Sequence, residues 1–171
     1  MQRVALMGCG NNDTLKIKTQ LLEERGSYEI VRLDIDETCK PDILWDLNDR
    51  PLPFASEEFD EIHFYEVLEH IGGQGDWQGF FEEFAEYWRI LKPGGRLCAS
   101  VPMWNSIWAW GDPGHLRVIS RGTLSFLDRS IYERDIGKTT MTDYRSVWEH
   151  SFSVAHMQET ENTFYFVLQK V

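Results

Sequence analysis

A short apolar run that ends in two closely spaced glycines is the feature that most constrains this sequence. Val4–Met7 contains four apolar residues, and Gly8-Cys9-Gly10 follows at once. A continuous apolar run bounded by a turn is typical of a strand buried on both faces, as in a parallel sheet. Glycines at the end of such a strand let the backbone approach a ligand closely. The pattern therefore predicts the first strand of an α/β sheet with a ligand loop at its end.

Further strands and helices alternate along the chain. Apolar runs predict strands at Tyr28–Leu33, Ile43–Trp45, Phe59–Tyr65, Arg96–Val101, Phe152–Met157 and Phe164–Val171. Capping residues and helical periodicity predict helices over 13–25, from Asp76 to Leu91, and over 120–132. A polar turn joins the last two strands, so these form a hairpin. The expected fold is α/β, a Rossmann-like, mostly parallel seven-stranded sheet with helices on both faces and an antiparallel C-terminal hairpin.

Length and charge exclude several classes of function. A chain of 171 residues is expected to form one domain. It carries 17 Lys and Arg against 28 Asp and Glu, a formal net charge of −11. This balance opposes binding to the phosphate backbone of nucleic acid or to anionic membranes. We therefore expect neither kind of partner.

The sequence also predicts a cytoplasmic location. No apolar run approaches the roughly 20 residues of a membrane span. Four apolar residues near the N-terminus are too few for the core of a signal peptide. Cys9, Cys39 and Cys98 show no CxxC spacing, and we expect them to be free thiols in a reducing compartment.

Acidic residues end the second and third predicted strands. Ligands of open parallel sheets bind beyond the carboxyl ends of the strands. There, the carboxylate of Asp34 can accept both hydroxyls of a ribose, and Asp46 can take part in adenine recognition. Together with Gly8 and Gly10, these residues predict a cofactor that contains a nucleoside.

Two such cofactors fit this description, namely NAD and S-adenosylmethionine (SAM). The NAD fingerprint GxGxxG requires a third glycine where this chain has Asp13, and a carboxylate there would repel a pyrophosphate. SAM has no phosphate and carries a sulfonium cation. The comparison favours SAM.

Five stretches of the sequence resemble a known family. Taken together over about residues 1–135, they resemble the class I SAM-dependent methyltransferases, nearest to the small-molecule branch called methyltransferase type 11. They are Val4–Gly10, Val31–Asp36, Trp45–Phe54, Phe59–Ile71 and Leu91–Leu97.

The resemblance implies a set of cofactor-binding residues. Gly8 and Gly10 would line the methionine end of SAM, Asp34 would hold the ribose, Asp46-Leu47 would flank the adenine, and Tyr65 would lie near the transferred methyl group. The complete predicted set is Gly8, Cys9, Gly10, Asp34, Ile35, Asp46, Leu47 and Tyr65.

The chain also departs from the family pattern. Leu6 stands where the family has an acidic residue, and Asn12 replaces the third glycine. The N-terminal helix and the helix after the second strand are absent or vestigial. These departures keep two alternatives open, a SAM-fold binding or regulatory protein without catalysis and, less favoured, an NAD-dependent dehydrogenase.

Glu66, Glu69 and His70 are spaced so that one helical turn would place them on the same face. With His115 from a later loop, they offer ligands for a divalent cation such as Mg²⁺ or Mn²⁺. The arrangement resembles that of two metal-using O-methyltransferase groups, the ubiquinone-pathway enzymes and the small-RNA terminal methylases. The same run is common in this family without metal, so a metal is not favoured. Without one, His70 or His115 would be the general base, and Glu66 would lie near the methyl group.

The acceptor is expected to be a small molecule. Nucleic-acid amino-methylases of this fold carry an Asn/Asp-Pro-Pro-aromatic motif where this chain has Phe64-Tyr65-Glu66-Val67. O-methylation is somewhat favoured. Trp104, Trp108 and Trp110 would form either an aromatic lid over a flat or apolar acceptor or part of the core against the 120–132 helix.

Overall fold

A computed structural model describes residues 1–171, apart from the side chains of residues 21 and 25. Within this described chain, seven strands form one sheet in the order β3-β2-β1-β4-β5-β7-β6. They are β1 Gln2–Met7, β2 Tyr28–Asp34, β3 Ile43–Leu44, β4 Phe59–Tyr65, β5 Leu91–Pro102, β6 Phe152–Glu159 and β7 Thr163–Lys170. The first five are parallel, and β7 lies antiparallel between β5 and β6. The predicted fold class is confirmed.

The helices are short apart from one. They are α1 Gln20–Arg25, α2 Trp77–Ile90, α3 Ile107–Gly111, α4 Arg121–Ser125 and α5 Arg129–Asp135, with 3₁₀ turns at Glu37–Cys39 and Leu68–His70. The 14-residue α2 begins where predicted, because the carboxylate of Asp76 accepts a hydrogen bond of 3.0 Å from the N–H of Gly79. In the described part of the chain, no helix is long and apolar enough to cross a membrane.

The main core lies on one face of the sheet. Alternation along β4 places Ile62 and Phe64 on this face, where they belong to the same buried cluster as Phe81 and Phe84 of α2. Trp148 is buried in the same cluster and donates its indole N–H to the carbonyl of Leu127 at 3.0 Å. On β1, Val4 packs with Leu15, which precedes α1, and with Leu22 of α1. Both faces of the sheet are therefore covered near β1, as predicted.

The predicted helix over 13–25 is mostly wrong, because α1 begins only at Gln20. Asn12 bonds the backbone N–H and C=O of Thr14, a local turn that competes with helix formation. The helix begins after Thr19, whose hydroxyl accepts the N–H of Leu22 at 3.4 Å. Residues 11–19 thus separate the glycine loop from the start of α1.

Three other boundaries differ from prediction. Strand β5 begins at Leu91 rather than at Arg96, because Leu91 pairs with Phe59 and the register shifts before Arg96. The predicted 120–132 helix is two helices, α4 and α5, since Asp128 caps a new start. The 102–114 loop contains α3, which Ser106 caps.

Candidate functional site

A cleft of about 300 Å³ opens at the carboxyl ends of the central strands. It lies where β1, β2, β3 and β4 end, which is the usual ligand position in an open parallel sheet. Seven of the residues predicted from sequence line it, namely Gly8, Asp34, Ile35, Asp46, Leu47, Glu66 and His70. The other lining residues are Leu33, Trp45, Asn48, Val67 and Ile71.

The glycine loop is tied to the end of β2. Gly8 has a φ of +61°, and a Cβ there would lie 2.6 Å from a methyl carbon of Val67, so only glycine fits. The N–H of Gly10 donates to the Asp34 carboxylate at 2.7 Å. The side chain of Cys9 does not reach the cleft lining and is buried with Leu6 instead. Burial raises the pKa of the Cys9 thiol, which keeps it protonated.

Three carboxylates set the electrostatic character of the cleft. Asp34 is 8% exposed, and its second oxygen accepts the N–H of Asp36 at 2.9 Å. Asp46 accepts hydrogen bonds from the backbone N–H and the side-chain amide of Asn48. Glu66 is the third carboxylate of the lining. Among the described lining residues there is no Lys or Arg. The cleft therefore favours a ligand that carries positive charge and disfavours a polyphosphate.

Glu66 adopts an unusual backbone conformation directly after β4. Its φ is +57°, a region that residues with a Cβ rarely occupy. The surrounding structure enforces this geometry, because the backbone N–H of Glu66 donates to the carbonyl of Ser100 at 2.9 Å. The Ser100 hydroxyl in turn donates to the Glu66 carboxylate at 2.7 Å. Such strain concentrates at functional sites.

Glu69, His70 and His115 form a compact cluster beside the cleft. One ligand atom from each lies within 4.8 Å of the others, and the two imidazole rings are 4.7 Å apart. Glu69 is 2% exposed, and neither carboxylate oxygen has a hydrogen-bond partner among the described residues. Burial raises the pKa of Glu69 to about 8. An unpartnered buried carboxylate is costly, so this group indicates a function rather than a packing role.

The segment 114–117 holds this cluster together. The carbonyl of Gly114 accepts a hydrogen bond from Nδ1 of His70 at 2.9 Å. A carbonyl only accepts, so in the neutral imidazole Nδ1 carries the proton and Nε2 has the free lone pair. The N–H of Leu116 donates to the carbonyl of Glu69 at 2.8 Å. Arg117 is buried and bonds both carboxylate oxygens of Glu83 at 2.7 Å, and its Nε donates to Leu68 at 2.8 Å.

Glu66 is separate from this group, although it was predicted to share a helical face with Glu69 and His70. The 3₁₀ turn begins at Leu68, two residues after Glu66, and the Glu66 carboxylate bonds Ser100 instead. The structure therefore brings together three of the four predicted metal-ligand candidates.

Tyr65 is another predicted cofactor-binding residue that does not line the cleft. Its hydroxyl accepts the N–H groups of Lys16 and Ile17 at 2.9 and 3.0 Å, on the sheet face opposite the main core. The reason is the alternation of β4, which puts Glu61, His63 and Tyr65 on one face.

These three residues and Thr19 form a buried hydrogen-bond chain that the sequence analysis missed. His63 lies 2.7 Å from the Tyr65 hydroxyl and 2.9 Å from a Glu61 oxygen, and the Thr19 hydroxyl donates to the other Glu61 oxygen. The signal was available in the strand pattern, since polar residues at every second position of an otherwise apolar strand predict a shared face.

The three tryptophans of the 104–110 segment are exposed. Trp104, Trp108 and Trp110 are 53%, 59% and 69% accessible, which is inconsistent with the second of the two alternatives, that they join the core. The indole N–H of Trp110 donates to the carbonyl of Trp104 at 2.8 Å, which holds the two together. The chain continues from here to His115, whose ring contacts that of His70 in the cleft lining.

Comparisons with known proteins agree with this architecture. A family model described as a methyltransferase domain matches residues 6–99, more than half of the chain. No curated protein sequence gives a significant match.

Three solved structures illustrate the likeness in fold. A SAM-dependent methyltransferase from Archaeoglobus fulgidus is 17% identical with a TM-score of 0.60, and the alignment covers 99% of this chain and 86% of the other. One from Methanosarcina mazei is 15% identical with a TM-score of 0.56, covering 99% and 92%. One from Mesorhizobium loti has the same identity and TM-score and covers 99% and 91%. By the family match and the sheet order, the chain belongs to the methyltransferase domain family and is a class I SAM-dependent methyltransferase.

Proposed function

We propose that this methyltransferase transfers the methyl group of SAM to a hydroxyl of a small, flat or apolar acceptor. The observation that carries the proposal is the juxtaposition of an acidic cleft with one free imidazole nitrogen. Asp34, Asp46 and Glu66 line the cleft, and His70 lies in its wall with Nε2 unprotonated in the neutral ring.

The cleft residues fit SAM. Bound there, SAM supplies an electrophilic methyl group on a sulfonium sulfur. The Asp34 carboxylate retains acceptor capacity beside its bonds to Gly10 and Asp36, which supports a role in binding the ribose hydroxyls. Asp46 and Leu47 would flank the adenine. The three carboxylates favour a cationic ligand, and a cleft of about 300 Å³ falls within the range of ligand pockets.

His70 is the group we assign as general base. As the acceptor oxygen bonds to the methyl carbon and the carbon–sulfur bond breaks, Nε2 of His70 takes the hydroxyl proton. Gly114 holds the ring through Nδ1 and stabilises the imidazolium that forms, because its carbonyl keeps its N–H partner. His115 has a side chain only 9% exposed, so we assign it to supporting His70 rather than to contact with the acceptor.

The tryptophan surface supports an aromatic or apolar acceptor. Three exposed indoles lie within seven residues, on the segment that leads to His115. Exposed apolar patches of this kind mark binding surfaces, and indole rings favour flat partners. The net charge of −11 supports a small molecule rather than a nucleic acid. The free thiols Cys9, Cys39 and Cys98 support a cytoplasmic location.

A methyl-transfer assay with labelled SAM and a panel of phenols, catechols and aliphatic alcohols tests the proposal. The expected result is transfer to at least one aromatic hydroxyl. His70→Ala should lower kcat by about 10²–10⁴-fold, a far larger effect than its effect on the Kd of SAM. The matched control is His150→Ala, since His150 stacks on Trp88 outside the cleft. SAM binding with no transfer to any hydroxyl would overturn the proposal and favour the alternative of a binding protein without catalysis.

A second candidate function is methyl transfer assisted by a divalent cation, and one observation favours it. Glu69 offers two buried, unpartnered oxygens, and Nδ1 of His115 is buried without a partner in the described chain. Together with His70 they form a carboxylate and imidazole donor set that suits a divalent metal. A bound cation would lower the pKa of the acceptor hydroxyl, and His70 would then hold the ion rather than accept the proton.

Metal binding is tested on the purified protein by calorimetry with Mn²⁺, and independently by assaying methyl transfer after treatment with a chelator. Glu69→Gln should abolish the calorimetric signal if the cluster binds the ion, whereas Glu82→Gln on the exposed side of α2 should not. Full activity after chelation, with no heat of Mn²⁺ binding, would leave His70 as the base.

A further inference from the structure

A groove of about 780 Å³ lies on the sheet face opposite the main core, away from the cofactor cleft. Its floor comes from β5, β6 and β7, and its wall is the 16–20 segment that precedes and begins α1. It shares no lining residue with the cleft. Its full lining is Lys16, Ile17, Lys18, Thr19, Gln20, Arg96, Ala155, His156, Gln158, Thr160, Tyr165 and Val167.

The charge of this lining is opposite to that of the whole chain. Lys16, Lys18 and Arg96 face the groove, and none of the described lining residues is Asp or Glu. In a chain with a net charge of −11, a cavity with three cations and no acid is a local reversal of charge. Such a concave basic surface with low-dielectric walls concentrates anions.

The three cations have no acidic partner in the part of the chain that the structure describes. Arg96 is half-buried, and its Nε has no hydrogen-bond partner among the described residues. Its cross-strand neighbour is Glu61, but both oxygens of Glu61 are engaged by Thr19 and His63. Lys16 lies 5.1 Å from the centre of the Tyr65 ring. Buried guanidinium nitrogens are normally paired, and the Nε of Arg96 is available to donate to an anion in the groove.

The remaining lining suits the body of an organic molecule. Ile17, Ala155 and Val167 provide apolar surface, and Tyr165 and Gln158 provide hydrogen-bond donors. The volume lies within the range of small-molecule sites. We propose that this groove binds a small organic anion, a carboxylate or phosphate ester with an apolar body, at a site distinct from the methyl-transfer centre.

The experiment is a nuclear magnetic resonance titration of the intact chain with four probes. Phenyl phosphate and benzoate each join an apolar ring to an anionic group, a phosphate or a carboxylate. Benzamide is the neutral control, and inorganic phosphate is the control that lacks the apolar ring. The methyl signals of Ile17 and Val167 report on the groove, and the three exposed indole N–H signals report on the tryptophan surface. We expect saturable shifts at Ile17 and Val167 with one or both aryl anions, and weaker or no response to the other two probes.

Variants then test the role of the cations. Arg96→Gln should weaken binding of the responding anion about fivefold or more, because it removes a charged hydrogen-bond donor. Lys138→Gln removes the same charge from the exposed 137–140 segment and should leave the affinity unchanged. If Arg96→Gln fails to fold, the double variant of exposed residues Lys16→Gln and Lys18→Gln provides the same test. The proposal would be overturned if benzamide shifted the Ile17 and Val167 signals as much as the aryl anions do. It would also be overturned if the variants of the groove cations bound the anion as tightly as Lys138→Gln does. The readout does not depend on methyl transfer, so it is independent of the proposed function.

Discussion

At the scale of single residues, the carboxylate of Asp34 has two roles that can be separated. It holds the glycine loop through Gly10, and in the proposed complex it binds the ribose of SAM. Asp34→Ala should weaken the binding free energy of SAM by about 1–3 kcal/mol, the usual value of a hydrogen bond to a charged group. Calorimetry with SAM and S-adenosylhomocysteine measures it.

Asp36→Ala is the matched control for this substitution. Asp36 caps the neighbouring 3₁₀ turn through Thr38 and does not line the cleft, so its removal should leave the Kd unchanged. An Asp34→Ala protein that binds SAM as tightly as the parent chain would refute the ribose role.

Residues at strand ends were predictable from sequence, whereas those that depend on contacts across the fold were not. Gly8, Asp34 and Asp46 each follow a recognisable strand, and the carboxyl ends of parallel strands meet at one edge. The isolation of Glu69 from hydrogen-bond donors depends on how the 114–117 segment folds over the 68–70 turn. That contact joins parts of the chain more than 40 residues apart, beyond the reach of local patterns.

At the scale of elements, a single hydroxyl secures the segment that joins the glycine loop to α1. Tyr65→Phe would leave the N–H groups of Lys16 and Ile17 without their acceptor and Nδ1 of His63 without its partner. We expect a loss of about 1–3 kcal/mol in the free energy of unfolding. Hydrogen exchange at the amides of Lys16 and Ile17 should accelerate beyond what this global loss explains. Tyr28→Phe, at an exposed position of β2, is the control. Unchanged exchange at both amides would contradict the assignment.

Arg117 connects the 68–70 turn to α2, because it donates to the carbonyl of Leu68 and forms a buried ion pair with Glu83. Arg117→Met leaves the Glu83 carboxylate buried opposite an apolar side chain, with Tyr87 as its remaining close donor and Arg50 3.6 Å away. Breaking a buried pair from one side typically costs about 3–5 kcal/mol. Chemical denaturation should show this loss, whereas Arg134→Met, which removes an exposed pair with Asp135, should change stability by less than about 1 kcal/mol. A small effect of Arg117→Met would show that Arg50 compensates for the lost guanidinium.

The order of elements was predictable, but the starts of α1, α3 and α5 were not. Periodicity and the Asp76 cap predicted α2, because a 14-residue amphipathic helix carries a strong local signal. The 13–19 segment has apolar residues at helical spacing, yet Tyr65 and Glu61 hold it in a non-helical form from across the sheet. Tertiary hydrogen bonds overrode the local preference there.

At the scale of the whole molecule, lowering the pH has two opposing effects on an acidic chain. Protonation reduces the repulsion that comes from a net charge of −11, which favours the compact state. It also removes carboxylates that accept hydrogen bonds in the folded protein. Glu86 is a clear case, because its oxygens accept from two nitrogens of Arg89 and from the N–H of Leu52. The Arg89 hydrogen bonds lower the pKa of Glu86 below its usual value.

The sign of the resulting pH dependence follows from linkage. A carboxyl whose pKa is lower in the folded state than in the unfolded state binds fewer protons when folded. Its contribution to stability is therefore present above the unfolded pKa, near 4.5, and is lost as the pH falls through the folded value. We expect the free energy of unfolding to fall with decreasing pH below about pH 5. Denaturant titrations between pH 7 and pH 3 measure this.

Glu86→Gln isolates the contribution of this one carboxyl to acid stability. The variant should be less stable than the parent chain at pH 7 and should approach it at pH 3, since both then lack the charged acceptor. Glu82→Gln removes the same charge from the exposed side of the same helix, so it reports the effect of net charge alone. If both variants show the same pH profile, the acid decline comes from carboxyls other than Glu86. If only Glu86→Gln reduces the loss of stability at low pH, the loss comes from the hydrogen bonds that Glu86 accepts from Arg89 and Leu52. These bonds connect α2 to the loop before β4.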